Sequence, residues 1–505
     1  MSANVVSFDW LVLAPVLAPA FAALLVLVID AIAPTVRAVH LPVALTALGL
    51  GIGALPFGVA NGATPVRTLC LAGPEAACLY EGAAWGVALQ LTALVASLLI
   101  LLMLGPGTSH LDASQHGGPA VTVALVLTAT AGATLVPATR DLPTWLIAIE
   151  LATLPAVALV ALSRSRDSAR GALALLMTSL MSFGLLVVGL ALWVLATGDA
   201  TFSSDTLRVA FADPQRHRVL LAALLFLLAG LGFKLSAVPF HTWTPQAFTA
   251  ADEPIGALLA TVSKVAALGA AIVVLRPLIH LEVTGEPGRG AIGATLGVLA
   301  VFSMTVGNLL ALREDDPVRL LAWSTVAQGG WVLLPLAVLT SGGASAAVAY
   351  LVAYAAASLA VFAVAAAVHP RNEAAGERTF AAYRGLARSQ PLLAGGLALG
   401  LLALAGLPPG LVGVIAKIVA LRPVIGFGGF GWVLVAVAIA NVVLGIAVYV
   451  RWLRVVVRAD DVSASSAPTP RLRLDPGLLV AVVVSTGLLL VLSVVPGLLL
   501  GLVDG

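Results

Sequence analysis

Stretches of about twenty consecutive apolar residues recur along this chain from end to end, and that recurrence limits the fold more than any motif does. A helix needs roughly 20 residues to cross the hydrocarbon core of a bilayer. Inside it, each backbone N–H and C=O must be satisfied within the structure, which leaves helices or closed barrels as the spanning elements. Of 505 residues, 60% are hydrophobic and 10% charged, against about 25% charged in soluble domains. The sequence predicts an all-α polytopic membrane protein with no room for a soluble catalytic domain. The first ten residues, MSANVVSFDW, place no Lys or Arg ahead of the first apolar run, unlike the basic start of a cleavable signal peptide, so that run is read as helix 1. No basic tract is long enough for nucleic acid.

With Pro, Gly and charge as punctuation, the chain divides into about 14 transmembrane helices, near residues 10–30, 41–60, 84–104, 118–138, 142–162, 172–197, 217–248, 254–275, 290–311, 318–340, 343–368, 392–424, 431–456 and 477–502. Connections after odd-numbered spans carry 15 arginines and the others 8. Basic loops stay cytoplasmic, so both termini are expected outside. The largest contributions come from Arg164, Arg166 and Arg170, from the four arginines between Arg371 and Arg388, and from the five between Arg451 and Arg473. The set from Arg208 to Arg218 argues the other way. Cys70 and Cys78 fall in the connection after span 2, outside, where they are either a disulfide or two unpaired thiols.

Two long spans contain prolines, Pro239 and Pro245 in span 7 and Pro408 and Pro409 in span 12. Interior proline deletes a donor and clashes with the preceding turn, so both are expected to be broken helices. An offset of five sends them across in opposite directions, as in an inverted repeat with its working groups near the midplane. The domain expectation is therefore residues 1–116 (helices 1–3), a first five-helix repeat at 117–280, a second, inverted one at 281–458, and helix 14 in 459–505.

Only three of the 26 basic residues are lysines, Lys234, Lys264 and Lys417, and each interrupts an apolar run. A charge at the bilayer centre costs about 2.5 to 3.5 kcal/mol on insertion scales. Pairing or snorkelling would be served equally well by arginine, which this chain uses everywhere else; what arginine cannot do is release its proton. The lysines therefore point to protonation cycling. Glu150, inside LPTWLIAIELATLPAVALVAL, is the carboxylate deep in a span, and at about 4 Å from Lys234 it would contribute about 4 kcal/mol at an effective dielectric near 20. It either loads and unloads a proton or forms a permanent neutralising pair. His241 either extends a proton path or bonds carbonyls freed by the prolines. Asn308, Gln328 and Asn441 either satisfy backbone or belong to the wire. GFGGFG at 426–431 follows no strand and is read as a loop. No P-loop, HExxH, paired CxxC or haem or iron–sulfur ligation pattern occurs, so the chain is expected to hold no cofactor or metal.

The stretch GFKLSAVPFHTWTPQAFTAADEPIGALLATVSKVAALGA closely resembles the helix 7 to helix 8 region of the antiporter-like subunits of respiratory complex I, the proton-translocating NADH-quinone oxidoreductase. GNLLALREDDPVRLLAWSTVAQGGWVLL and LAGLPPGLVGVIAKIVAL support the resemblance, which covers most of residues 140 to 420. Among those subunits the A-T-x-S-K pattern ending at Lys264, the lysine at 417 and the absence of a long lateral helix resemble subunit N. The resemblance implies proton translocation, with Glu150 paired to Lys234, Lys264 as relay and Lys417 governing exchange with the outside. It also implies NADH, FMN, iron–sulfur clusters and quinone in partner subunits, membrane-arm partners including a second antiporter-like subunit, bound lipids, and a bacterial cytoplasmic (inner) membrane. Two positions depart from the pattern. Ala327 and Gln328 stand where the family often has Ser-His, and Gln246 where it commonly has an acid. The alternatives are a multi-subunit Mrp-type cation/proton antiporter and a non-pumping membrane-arm scaffold.

Overall fold

The computed structural model describes residues 8–59, 65–70, 78–105, 118–162, 165–281, 287–368, 378–458 and 475–504. The expected domain boundaries at 116/117 and 458/459, and Arg164, Arg371, Arg471 and Arg473, lie outside the described residues.

Helices α1 (Trp10–Ile32), α2 (His40–Ala54) and α3 (Ala84–Leu104) come first, with a two-stranded antiparallel hairpin, β1 (Val66–Cys70) and β2 (Cys78–Gly82), between the last two. Next are α4 (Gly118–Leu135), α5 (Leu142–Ala161) and α6 (Arg166–Thr197). A short helix α7 (Ser204–Ala212) leads to α8 (Pro214–Lys234) and α9 (Trp243–Ala250), the halves of broken span 7. Span 8 is α10 (Glu253–Ala260) and α11 (Val262–His280), interrupted at Thr261. Then follow α12 (Pro287–Ala311), α13 (Pro317–Leu336), α14 (Ser341–Val368), a one-turn α15 (Leu386–Ser389), α16 (Pro391–Ala405) and α17 (Leu411–Ile425) as the halves of span 12, and α18 (Gly428–Val457). The chain closes with α19 (Pro476–Val494) and α20 (Gly497–Asp504).

Local chemistry explains the starts. Asp9, Asp141, Asp213, Asp316 and Asp475 each cap a helix by accepting from its first free N–H groups, and in four of the five a proline occupies one of the first two helical positions, where its missing donor costs nothing. The expected break at Pro245 is corrected for the same reason: it is the third residue of α9, where proline is tolerated. The gap is 235–242, around Pro239. Span 12 breaks at 406–410, around Pro408 and Pro409, as the sequence predicts. The expected last span, 477–502, is corrected to two helices meeting near Val495 and Pro496.

Among the described residues twelve helices are long and apolar enough to cross a membrane, or 13 counting the pair Phe380–Ser389 and Pro391–Ala405, bent by 120°. The two expected spans missing from the twelve are α13, diluted by Arg319, Gln328 and two tryptophans, and the halved span 12. Connections settle their direction. On one face Asp9 N donates to Thr68 Oγ1 (3.0 Å), and Arg67, Arg140 and Arg276 all pair with Glu81. The start of α1, the hairpin and the ends of spans 4 and 8 thus meet. On the other face Arg378 reaches Glu253 and the carbonyls of Thr249 and Ala251, Arg451 donates to the carbonyls of Leu312 and Glu314, and Phe380 packs on Trp452. The ends of spans 7, 9, 11 and 13 thus meet there. With α14 and α18 running between these two faces, chain continuity carries α13 and the α16/α17 pair between the same faces.

The two expected repeats pack alike. α4 lies on α5 and α6 on both α8 and α9, while α12 lies on α13 and α14 on both α16 and α17. The seam between them is tight: α9 packs on α13 and α10 on α14, and α14 is buried almost throughout. Leu24, Met181, Phe302 and Val443 are among the large apolar side chains left exposed on outer helices, as expected for surfaces facing lipid.

Candidate functional site

A broken helix exposes carbonyls that an intact one would use. The last turn of any helix leaves C=O groups without partners, and in a membrane these cannot turn to water. In α8 the orphaned carbonyl of Lys234 accepts from Lys264 Nζ, on α11, at 3.0 Å. In α16 the carbonyl of Leu404 accepts from Lys417 Nζ, on α17, at 2.6 Å. Each break is closed by an amine. Both ammonium groups also sit over tryptophan rings, Lys264 5.2 Å from Trp243 and Lys417 5.7 Å from Trp331, a favourable cation–π placement.

Lys234 is the final residue of α8, where a cation complements the helix dipole. Its Nζ donates to Glu150 Oε1 at 2.9 Å and to Thr153 Oγ1 at 2.7 Å. Both acceptors are on α5, three residues apart and so on one face. The ion pair expected from the sequence is therefore formed. Glu150, Lys234 and Lys264 make one continuous contact chain, Glu150 carboxylate to Lys234 amine and Lys234 carbonyl to Lys264 amine. Among the described residues no carboxylate pairs with Lys264 or Lys417, which are held by carbonyl and hydroxyl oxygens alone.

The second centre is neutral apart from Lys417. Gln328 Nε2 lies 3.5 Å from the carbonyl that Lys417 caps and donates to Tyr449 Oη at 3.0 Å, while its Oε1 accepts from Tyr350 Oη. Ser324 Oγ is 2.7 Å from Tyr449 Oη. The amide thus meets the break of span 12 through the carbonyl that Lys417 caps, without touching the amine itself. Gly406, at φ +79°, leaves room for the Lys417 side chain, because a Cβ there would lie 2.9 Å from its Nζ.

α13 separates the two centres and touches both. A Cβ on Gly329 would meet the carbonyl oxygen of Leu235 at 2.6 Å, inside the break of span 7, while the adjacent Gln328 faces the break of span 12. His241, in the span 7 break, packs against Trp323 of α13, ring centroids 5.6 Å apart. No hydrogen bond among the described residues joins it to Glu150 or to any lysine. Asn308 and Asn441 bond each other, Nδ2 to Oδ1 at 3.1 Å, and tie α12 to α18 without reaching a lysine. Gln246 is exposed on α9. Cys70 and Cys78 form a disulfide, which decides that open question.

The structure adds Thr153, Ser236 and Thr244, which the sequence reading missed. Small hydroxyls in apolar helices are common backbone bonders, so nothing in their spacing marked them.

The description "NADH:quinone oxidoreductase/Mrp antiporter, TM" belongs to the family profile that matches residues 139–445. The chain belongs to that family. It is 34% identical to NADH-quinone oxidoreductase subunit N 2 of Streptomyces griseus, over 97% of this chain and 92% of that one. A chain of respiratory complex I from Thermus thermophilus superposes with a TM-score of 0.75 at 27% identity, covering 96% of this chain and 98% of the other. A chain of the Mrp complex from a Dietzia species reaches a TM-score of 0.77 at 19% identity, covering 98% and 96%, a likeness of fold.

Proposed function

We propose that this chain is the subunit-N type of antiporter-like membrane subunit in a bacterial respiratory complex I, translocating protons while quinone is reduced elsewhere in the complex. The observation that carries the reading is the unbroken chain from Glu150 through Lys234 to Lys264. A carboxylate paired to one amine, with a second amine seated on the main-chain carbonyl of that same lysine, can hand charge along by small movements, because at 2.9 Å the attraction within the pair is about 6 kcal/mol at an effective dielectric near 20. Drawing Glu150 off Lys234 removes most of that attraction and frees the amine's proton, and returning it restores the hold. Lys264, bonded only to neutral oxygens, receives the proton at the break, and Lys417 at the second break exchanges it with the outside. Gln328 cannot carry a proton as a histidine would, so passage past it runs through the hydroxyls of Tyr350, Tyr449 and Ser324.

In this reading NADH, FMN, iron–sulfur clusters and quinone belong to partner subunits, and the chain supplies no redox centre. The partners are the other membrane-arm subunits, among them a second antiporter-like one. The membrane is the bacterial cytoplasmic membrane with both termini outside. The arginine asymmetry supports that orientation, as does the disulfide, which lies on the face away from the arginine-rich connections and calls for an oxidising compartment.

The test is Lys234→Met in the assembled complex, with proton uptake measured per NADH oxidised in sealed vesicles. A lower proton-to-electron ratio at matched assembly supports translocation; an unchanged ratio removes Lys234 from it and leaves the scaffold reading. The fold likeness to the Mrp complex favours a cation/proton antiporter as the second reading. Comigration of the chain with NADH-quinone reductase activity on native gels separates the two.

A further inference from the structure

Ser236 stands two residues past the end of α8 with φ +59°. That left-handed conformation is disfavoured for every residue but glycine, and the break of span 12 meets the same need with Gly406. A serine kept where glycine would relax the backbone points to work for its hydroxyl. The side chain is fully buried, and its Oγ accepts from Lys264 Nζ at 2.5 Å and from Thr244 Oγ1, the second residue of the next half-helix, at 2.8 Å. Lys264 Nζ meanwhile donates to the Lys234 carbonyl. Among the described residues Ser236 is therefore the side chain hydrogen-bonded to Lys264, and through Thr244 it ties that amine to α9, whose Trp243 ring the amine also overlies.

We infer that Ser236 is the positioning residue for Lys264, holding its amine on the Lys234 carbonyl in both protonation states. The chemistry turns on what each partner can do. A carbonyl only accepts, so it satisfies N–H donors but not the lone pair of an uncharged amine. A hydroxyl both donates and accepts. With Lys264 charged, Ser236 Oγ receives an N–H. When Lys264 gives up its proton, the Ser236 O–H turns to the nitrogen lone pair, while the amine keeps an N–H on the Lys234 carbonyl and Thr244 still donates to Ser236 Oγ. In either state the Ser236 hydroxyl stays bonded to the amine nitrogen, so the amine can change charge without leaving its seat. The charged groups in the same contact chain are Lys234 from α8 and Glu150 from α5; α9 and α13 contribute no charged group hydrogen-bonded to Lys264 or Ser236 among the described residues.

This rests on the proton-translocation reading, and the experiment separates the two. Ser236→Gly and Ser236→Ala are made in the assembled complex alongside Lys264→Met, and the proton-to-electron ratio is recorded as a function of pH. Both serine variants delete the hydroxyl, but glycine relaxes the backbone and alanine does not. The expected result is that both lower the ratio and displace its pH midpoint alike, by about one unit, the equivalent of one hydrogen bond to a charged group. Wild-type profiles in both overturn the inference. So does a normal Ser236→Gly beside an impaired Ser236→Ala, which assigns the effect to backbone conformation. If Lys264→Met itself leaves the ratio unchanged, the translocation reading falls first. Should neither serine variant assemble, Thr244→Val is compared with Thr244→Ser. The inference expects a displaced midpoint for valine and a wild-type midpoint for serine, and equal midpoints reject it.

Discussion

Replacing Glu150 by glutamine keeps the side-chain volume and deletes one charge, which makes it the sharpest perturbation of the first centre. Glu150 Oε1 and Lys234 Nζ are 2.9 Å apart with side chains 16% and 6% exposed, so solvent screens them little. About 6 kcal/mol of attraction at an effective dielectric near 20 disappears, and the Thr153 hydroxyl, still 2.7 Å from Nζ, supplies about 1 kcal/mol of ordinary hydrogen bonding. Stranding one partner of a buried pair typically costs about 3 to 5 kcal/mol, or two to four decades in any equilibrium that depends on it. Glu150→Gln in the assembled complex should therefore lower the proton-to-electron ratio and the melting temperature together. Adding Lys234→Met should recover much of the melting temperature but none of the ratio, since the unpaired charge is gone while the carrier is also gone. The reasoning is refuted if the stability losses of the two single variants simply add in the double variant, because residues in direct contact must couple.

Gly406→Ala forces a side chain into φ +79° and places Cβ 2.9 Å from Lys417 Nζ. It should cost about 1 to 2 kcal/mol in backbone strain and reduce proton transfer, though less than Lys417→Met, because the lysine tip can shift aside; the same vesicle assay reads both. Reducing the Cys70–Cys78 bridge, which spans a sequence separation of 8, should destabilise the hairpin by about 2.5 kcal/mol on the loop-entropy relation, seen as faster proteolysis between β1 and β2. Tyr80, buried against α3 and accepting from Gln90 at 2.9 Å, has its phenol pushed up to about 12 by burial. The folded state resists ionisation more than the unfolded one, so Tyr80 should withdraw about 3 kcal/mol of stability as pH rises from 10 through 12 and nothing below that window. Tyr80→Phe should flatten the alkaline limb of the stability curve there.

The elements legible in the sequence share a cause: a bilayer punishes charge and interrupted helices so strongly that either one marks a site. Lys234, Lys264, Lys417, Glu150 and the prolines of spans 7 and 12 could be read for that reason, and the Glu150–Lys234 contact follows from the scarcity of deep carboxylates. Weaker signals failed. Thr261 interrupts span 8 at φ −118°, ψ −73°, yet no proline stands at the break, Pro254 being in the first turn of α10, so apolar continuity concealed it. Val66–Cys70 and Cys78–Gly82 are too short to distinguish from loop. Glu81 gathers Arg67, Arg140 and Arg276, two of them far off in the sequence, so only the fold brings that cluster together. Ser236 and Thr153 look like the many hydroxyls that bond their own helix.

Because Gln328 and Gly329 are neighbours on α13 with different assignments, one toward each break, the two halves are keyed to a single helical phase. One residue added or removed between Trp323 and Gln328 would turn everything beyond it by about 100°, driving a bulky group onto the Leu235 carbonyl and taking the amide from the tyrosines. Length variation among relatives should therefore be tolerated in the surface connections and be lethal to function in this segment, even where the inserted residue is a harmless alanine.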